Sequence, residues 1–383
     1  MLTFKRALMA AALFLTLFYV LTRSHAPDAP SLPVEQDLYP KNDDIPELSG
    51  HGSSRTSTPQ TDEKGGEAAS HGGSGGSGGS TGQKPIQDMS KMSTYDKLAY
   101  QYPYDVESKF PAYIWQTWKY TPAEGKFIFR AEEATWSLLH PGFIHEVITD
   151  DVAANLIKLF YASVPEVLEA FEAMPLPVLK ADFFRYLILL ARGGVYSDID
   201  TSALKSAIEW VPDTVPRSTI GLVIGIEADP DRPDWHDWYS RRIQFCQWTI
   251  QAKSGHPVLR DIVSRITAET LRRKRTGLLS GFLDKNVVEF TGPAVWTDTI
   301  FDYFNDPRYF DMSTSKGPID WQNFTGMEAA KKVGDVIVLP ITSFSPGVGQ
   351  MGAKDVNDEM AFVRHGFEGT WKPEHERHVG GDS

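Results

Sequence analysis

Residues 178–192 (VLKADFFRYLILLAR) constrain the fold of this chain more than any other stretch. Their apolar side chains occupy most sides of a helix, and such a helix must be buried on most sides too. It therefore calls for a layered structure in which this helix is an inner element. Gly193-Gly194 stops it, because glycine accepts the left-handed backbone that ends helices. A short β-like run follows at once, Val195-Tyr196-Ser197-Asp198-Ile199-Asp200. Asp198 and Asp200 are one residue apart, and on an extended segment both carboxylates point to the same side. Two such anions repel unless a positive group lies between them. A hard divalent cation suits oxygen ligands and bridges to phosphates, which favours chemistry on a diphosphate-activated compound. A polar turn after a buried strand would read the same way in isolation, so the surroundings decide.

Those surroundings alternate. Residues 113–118 (YIWQTW) read as a first strand, 127–139 as a helix, 143–148 (FIHEVI) as a second strand, and 152–173 as a helix with apolar residues at helical spacing. Strands alternating with helices predict an α/β sheet covered on both faces. Ligands in such sheets gather at the carboxyl ends of the strands, where Asp198 and Asp200 fall. The apolar helix also carries two misfits, Asp182 and Arg185, three residues apart and so neighbours on one face. Buried charges are costly unless paired or used. They read either as a mutual ion pair or as a site in which Asp182 holds a sugar hydroxyl and Arg185 lies near a phosphate or sugar.

Gln116 on the first strand has the hydrogen-bonding amide for a nucleotide, whereas Trp115 and Trp118 beside it fit a core equally well. Gly292, in Thr291-Gly292-Pro293, permits close backbone approach to a ligand, as it also would in a plain turn. In residues 229–239 (DPDRPDWHDWY), Trp235 and Trp238 with Asp234 are the residue types that grip sugars, indoles stacking on apolar faces and carboxylates taking hydroxyls. A surface loop anchored by its tryptophans is the plainer reading. His256 lies in a Gly-His-Pro turn and reads as structural.

Composition bounds the function. A net charge of −12 over 383 residues argues against nucleic acid as a partner, and the basic run 272–275 reads as a solvated helix face. The single cysteine, Cys246, rules out an internal disulfide, a cysteine-built zinc cluster and a dithiol redox site. Residues 7–22 (ALMAAALFLTLFYVLT) are apolar and follow Lys5-Arg6, the pattern of an anchor with a cytoplasmic tail (1–6) and a luminal remainder. Ser24-His25-Ala26 has small residues at cleavage-like spacing, but Pro27 opposes cleavage. Residues 23–92, with HGGSGGSGGSTG at their centre, read as a flexible stem, and 93–378 as the folded catalytic domain.

LKADFFRYLILLARGGVYSDIDT (179–201) resembles the sugar-binding signature of glycosyltransferase family 32. YIWQTWK, IQFCQWTIQAK, SGHPVL, TGPAVWTD and VRHGFEGTWK follow in the order found in fungal Golgi members of that family. The resemblance implies a GT-A (Rossmann-like) fold, a GDP-mannose donor, a Mn²⁺ ion, and retaining transfer of an α-1,6-mannose to the oligomannose core of N-glycans. It further implies that Asp198 and Asp200 serve metal and donor, that His365 is a third metal ligand, and that Asp182, Arg185, Gln116, Tyr196 and Gly292 lie on the donor side. Trp235, Trp238 and Asp234 are assigned to the acceptor. A single-pass type II Golgi membrane protein, alone or within a mannosyltransferase complex, fits the anchor and stem. Within the family, extension of polymannose remains an alternative. Transfer to inositol-phosphoceramide is disfavoured by the polar C-terminus (HERHVGGDS). A non-catalytic complex subunit is the alternative from another class, and it would have no physical need to keep these clustered anions.

Overall fold

The computed structural model describes residues 88–279, 284–313 and 317–369. The apolar run 7–22, the stem as far as residue 87, and residues 370–378 of the expected domain lie outside the described residues. Among those described, no helix is long and apolar enough to cross a membrane.

The strands among the described residues are β1 (Tyr113–Thr117), β2 (Ile144–Ile148), β3 (Gly194–Ser197), β4 (Thr201–Ala203), β5 (Leu222–Ala228), β6 (Gln244–Phe245), β7 (Thr249–Ala252), β8 (Lys331–Val333), β9 (Val336–Leu339) and β10 (Val363–His365). The main sheet has the order β2-β1-β3-β7-β5-β9-β8, with β6 paired to β5. β1 runs parallel to β2 and β3, and β5 parallel to β9. β7 opposes both of its neighbours, β3 and β5. The sheet is therefore mixed, an α/β sheet as expected, with β7 and β8 antiparallel to the rest of the main order. The cause is local: a parallel return needs a crossover, usually a helix, and between β5 and β7 the chain forms only a 3-10 turn (Trp235–Asp237) and β6.

Alternate strand residues face opposite ways, and the core divides accordingly. Trp115, Tyr196, Ile224 and Val338 join one apolar cluster, while Ile114, Val195, Val223 and Ile337 join the other. Two covered faces explain why the central strands lack polar alternation.

The helices of seven or more residues among those described are α1 (Thr94–Gln101), α2 (Arg130–Leu139), α3 (Asp150–Phe160), α4 (Pro165–Ala173), α5 (Pro177–Arg192), α6 (Pro257–Thr276), α7 (Asp284–Phe290) and α8 (Pro293–Phe304). The single helix read over 152–173 is in fact α3 and α4. Pro165 lacks the N–H a continuing helix needs and instead occupies a first-turn position. α5 is the inner helix expected, with Leu187 through Leu190 fully buried. It leaves through Gly193 (φ 66°) and Gly194 (φ 99°). A Cβ at Gly194 would stand 2.6 Å from the Tyr113 carbonyl oxygen, so only glycine lets β3 lie this close to β1. The basic run near residue 272 ends α6, where Arg272 and Arg273 pair with Glu269.

Candidate active site

Five strands (β2, β1, β3, β5 and β9) point their carboxyl ends the same way, and a cavity of about 740 Å³ opens beside those of β1, β3 and β5. Asp198 and Asp200 line it, but not as neighbours on a strand. β3 ends at Ser197, and residues 198–200 form a turn in which the Thr201 N–H returns to the Asp198 carbonyl at 3.2 Å. The turn buries Ile199 against Phe127 and Phe129, leaving both aspartates on the cavity. An apolar residue between two acids thus acts as an anchor, and the expectation of an extended segment is corrected accordingly.

The backbone of this turn is held firmly. The Asp198 N–H donates to the Trp248 carbonyl at 2.9 Å. The Asp198 carbonyl accepts from Thr201 Oγ1 at 2.6 Å and Gln116 Nε2 at 3.0 Å. The Gln116 Oε1 meets His145 Nε2 at 2.8 Å. With both ends of its amide engaged and its side chain buried, Gln116 does not line the cavity; expected to contact the donor, it instead supports the turn. Trp115 is likewise core, stacked on Tyr113 with its indole N–H on the Gly193 carbonyl at 2.9 Å. Trp118 does line the cavity.

The two misfits of α5 lie on the cavity floor. Arg185 reaches Asp182 Oδ1 at 2.5 Å and Asp198 Oδ1 at 3.0 Å, above the Tyr196 ring at 5.1 Å. The charges pair with each other, as the first reading has it, and both residues also line the cavity. Tyr196 donates to Asp198 Oδ1 at 3.0 Å, and Thr291 Oγ1 to Asp182 Oδ2 at 2.8 Å. Burial pushes the Asp182 carboxyl up to about 6, against the pull of Arg185 and Thr291. Gly292 lines the cavity at the start of α8; a Cβ there would stand 2.7 Å from Val288 Cα, so the glycine serves close packing of α8 on α7.

His365 arrives from 165 positions downstream because β10 pairs with β4, setting His365 opposite Thr201. Its ring lies against Trp248 and Phe367, with centroids 4.2 and 4.1 Å away. Its Nε2 is 3.2 Å from Asp200 Oδ1, and the Glu368 N–H donates to Asp200 Oδ2 at 3.1 Å. Burial acts to raise the Asp200 carboxyl, but His365 and the Glu368 N–H outweigh it and hold it below the ordinary carboxylate range. One ligand atom from each of Asp198, Asp200 and His365 falls within 4.8 Å of the others. Two carboxylates and an imidazole make an acceptable donor set for a divalent cation such as Mn²⁺. Asp198 Oδ2 accepts no hydrogen bond among the described residues, and His365 Nδ1 is buried without a partner, so the set has unused capacity.

Of the residues assigned to the acceptor, Trp238 lines the cavity and is two-thirds exposed. Asp234 is bound to Arg232 at 2.6 Å, and neither it nor Trp235 lines the cavity; the 3-10 turn directs only part of this aromatic loop inward. Sequence reasoning also missed several residues. Glu227 at the end of β5 lines the cavity, as do Gln244 and Gln247. Gln244 Nε2 donates to Glu227 Oε2 at 3.0 Å, and Gln247 Nε2 lies 3.4 Å from Asp182 Oδ1. Burial raises the Glu227 carboxyl, against the Gln244 hydrogen bond and the His365 charge. The signal was present in IQFCQW, where amides three residues apart interrupt a buried run. His256, by contrast, is structural as expected: it caps α6, its Nδ1 accepting from the Val258 N–H at 3.2 Å.

A cavity at the strand ends with a cation-ready acidic turn is the arrangement of an enzyme acting on a nucleotide-activated sugar. The family model for the glycosyltransferase sugar-binding region containing a DXD motif matches residues 130–217, a span holding Asp182, Arg185, Tyr196, Asp198 and Asp200. The chain is a glycosyltransferase. It is 50% identical over 291 residues to the initiation-specific alpha-1,6-mannosyltransferase of Candida albicans, covering 72% of this chain and 76% of that one. The protein of the same name in Schizosaccharomyces pombe is 47% identical over 279 residues, with 72% and 67% covered. That of Saccharomyces cerevisiae is 36% identical over 397 aligned positions, with 74% and 83% covered. The chain belongs to the family of initiation-specific alpha-1,6-mannosyltransferases.

Proposed function

We propose that this protein transfers mannose from GDP-mannose, in α-1,6 linkage and with retention, to the oligomannose core of N-glycans, beginning the outer chain. The observation that carries this reading is the Asp198–Asp200–His365 cluster on a cavity large enough for a nucleotide sugar, in a chain of this family. The fold is a GT-A fold, and the cation is Mn²⁺, held by Asp198, Asp200 and His365. When bound, the cation supplies a Lewis acid that offsets the charge growing on the departing diphosphate. Arg185 fixes Asp198 and brings near the donor the one guanidinium that lines the cavity among the described residues. Asp182, closed in by Arg185 and Thr291, holds a sugar hydroxyl. Trp238 and Trp118 at the cavity offer indole faces to the acceptor glycan.

The apolar run 7–22 anchors the protein in the Golgi membrane as a single-pass type II protein with the stem and catalytic domain luminal, where it acts alone or in a mannosyltransferase complex. Product analysis tests the reading: with GDP-mannose, Mn²⁺ and a defined oligomannose acceptor, one mannose in α-1,6 linkage is expected. Another linkage, or no transfer, would contradict it.

A further inference from the structure

β5 departs from regular pairing at one point. Ile226 pairs with Phe245 and Ala228 with Gln244, so β5 advances two residues where β6 advances one. Glu227 is the extra residue, unpaired in the ladder. Such bulges re-aim a side chain and recur beside active sites, and here the re-aimed side chain lines the cavity. The other buried or half-buried carboxylates of the cavity are all engaged: Asp182 and Asp198 by Arg185, Asp200 by His365 and the Glu368 N–H. Glu227 has an amide on one oxygen and, among the described residues, no cation within ion-pair distance. It also lies outside the three-residue cluster suited to a metal. A partly buried carboxylate with no cation in direct ion-pair contact is costly.

Resting on the mannosyl-transfer reading, we infer that Glu227 is a further catalytic residue, an anion that faces the sugar ring as positive charge develops at its anomeric carbon. In the transfer, the bond between C1 and the diphosphate oxygen breaks and its electron pair leaves with the nucleoside diphosphate. The acceptor hydroxyl oxygen forms the new bond to C1, and its proton passes to the departing diphosphate. Glu227 forms no bond in this step. Its charge stabilises the oxocarbenium character of C1 and the ring oxygen, and because that character is present only in the transition state, Glu227 acts on kcat.

Glu227→Gln in the full chain tests this. The variant keeps the shape and leaves a carbonyl to accept from Gln244. Expected are a kcat for mannose transfer lower by about 10²–10³-fold, a donor KM and GDP affinity near those of the unaltered protein, and unchanged Mn²⁺ affinity. An unchanged kcat would overturn the inference. So would losses of GDP or Mn²⁺ affinity matching the loss of kcat, since Glu227 would then be a donor or metal ligand. Should the glutamine variant fail to fold, Glu227→Asp, which keeps the charge but withdraws it by a methylene, must show the same split of kcat from GDP affinity. Failure of the unaltered protein to transfer mannose would instead defeat the underlying reading, an outcome separate from these.

Discussion

At the scale of single residues, Arg185 carries the electrostatics of the site. Its side chain is 5% exposed and is bonded to two carboxylates. Removing one partner of a buried pair leaves an uncompensated charge, and Arg185 has two partners. Arg185→Leu is therefore expected to destabilise the protein by about 3–5 kcal/mol, read as a lower denaturant midpoint, while an effect under about 1 kcal/mol, the level of a surface pair, would show that the pairing contributes little. Much of this was legible in the sequence: charges in an apolar helix announce themselves, as do paired aspartates. The role of Gln116 was not, because an amide on a strand looks the same whether it faces a ligand or supports a turn. Glu227 was invisible for a related reason, since a bulge is a property of pairing between two strands.

At the scale of elements, the order of strands and helices was legible from periodicity and from Gly193-Gly194, whereas strand direction was not. Only the pairing of β7 with β3 and β5 reveals the mixed sheet. A second long-range lock lies at the turn between β8 and β9. Asp335 there meets His256 Nε2 at 3.3 Å, Tyr303 at 2.8 Å and the Tyr104 hydroxyl, tying the turn to the N-terminus of α6. Burial acts to raise the Asp335 carboxyl, but His256 and the two hydroxyls outweigh it and hold it well below the ordinary range. A carboxyl depressed on folding contributes stability that is present above its unfolded value, near about 4, and is lost as pH falls toward the folded one. Thermal melts of Asp335→Asn are expected to show lower stability at neutral pH and a shallower decline below about pH 4. A decline as steep as that of the unaltered protein would show that Asp335 is not the group being titrated.

At the scale of the whole molecule, the site exists because segments of one contiguous stretch, α5 and the turn after β3, meet a distant one, β10, which returns to pair with β4. The likeness of many separated motifs to one family made the histidine legible before its pairing was seen, though its position beside Asp200 depends on that small two-stranded sheet. The central claim is that these segments form a cation-dependent donor site. Calorimetric titration of Mn²⁺ in the presence of GDP, on the unaltered protein and on Asp200→Asn, tests it most directly. Saturable Mn²⁺ binding is predicted for the unaltered protein, with loss of binding in the variant while its circular-dichroism spectrum is unchanged. A variant that binds Mn²⁺ and GDP as tightly as the unaltered protein would contradict the account.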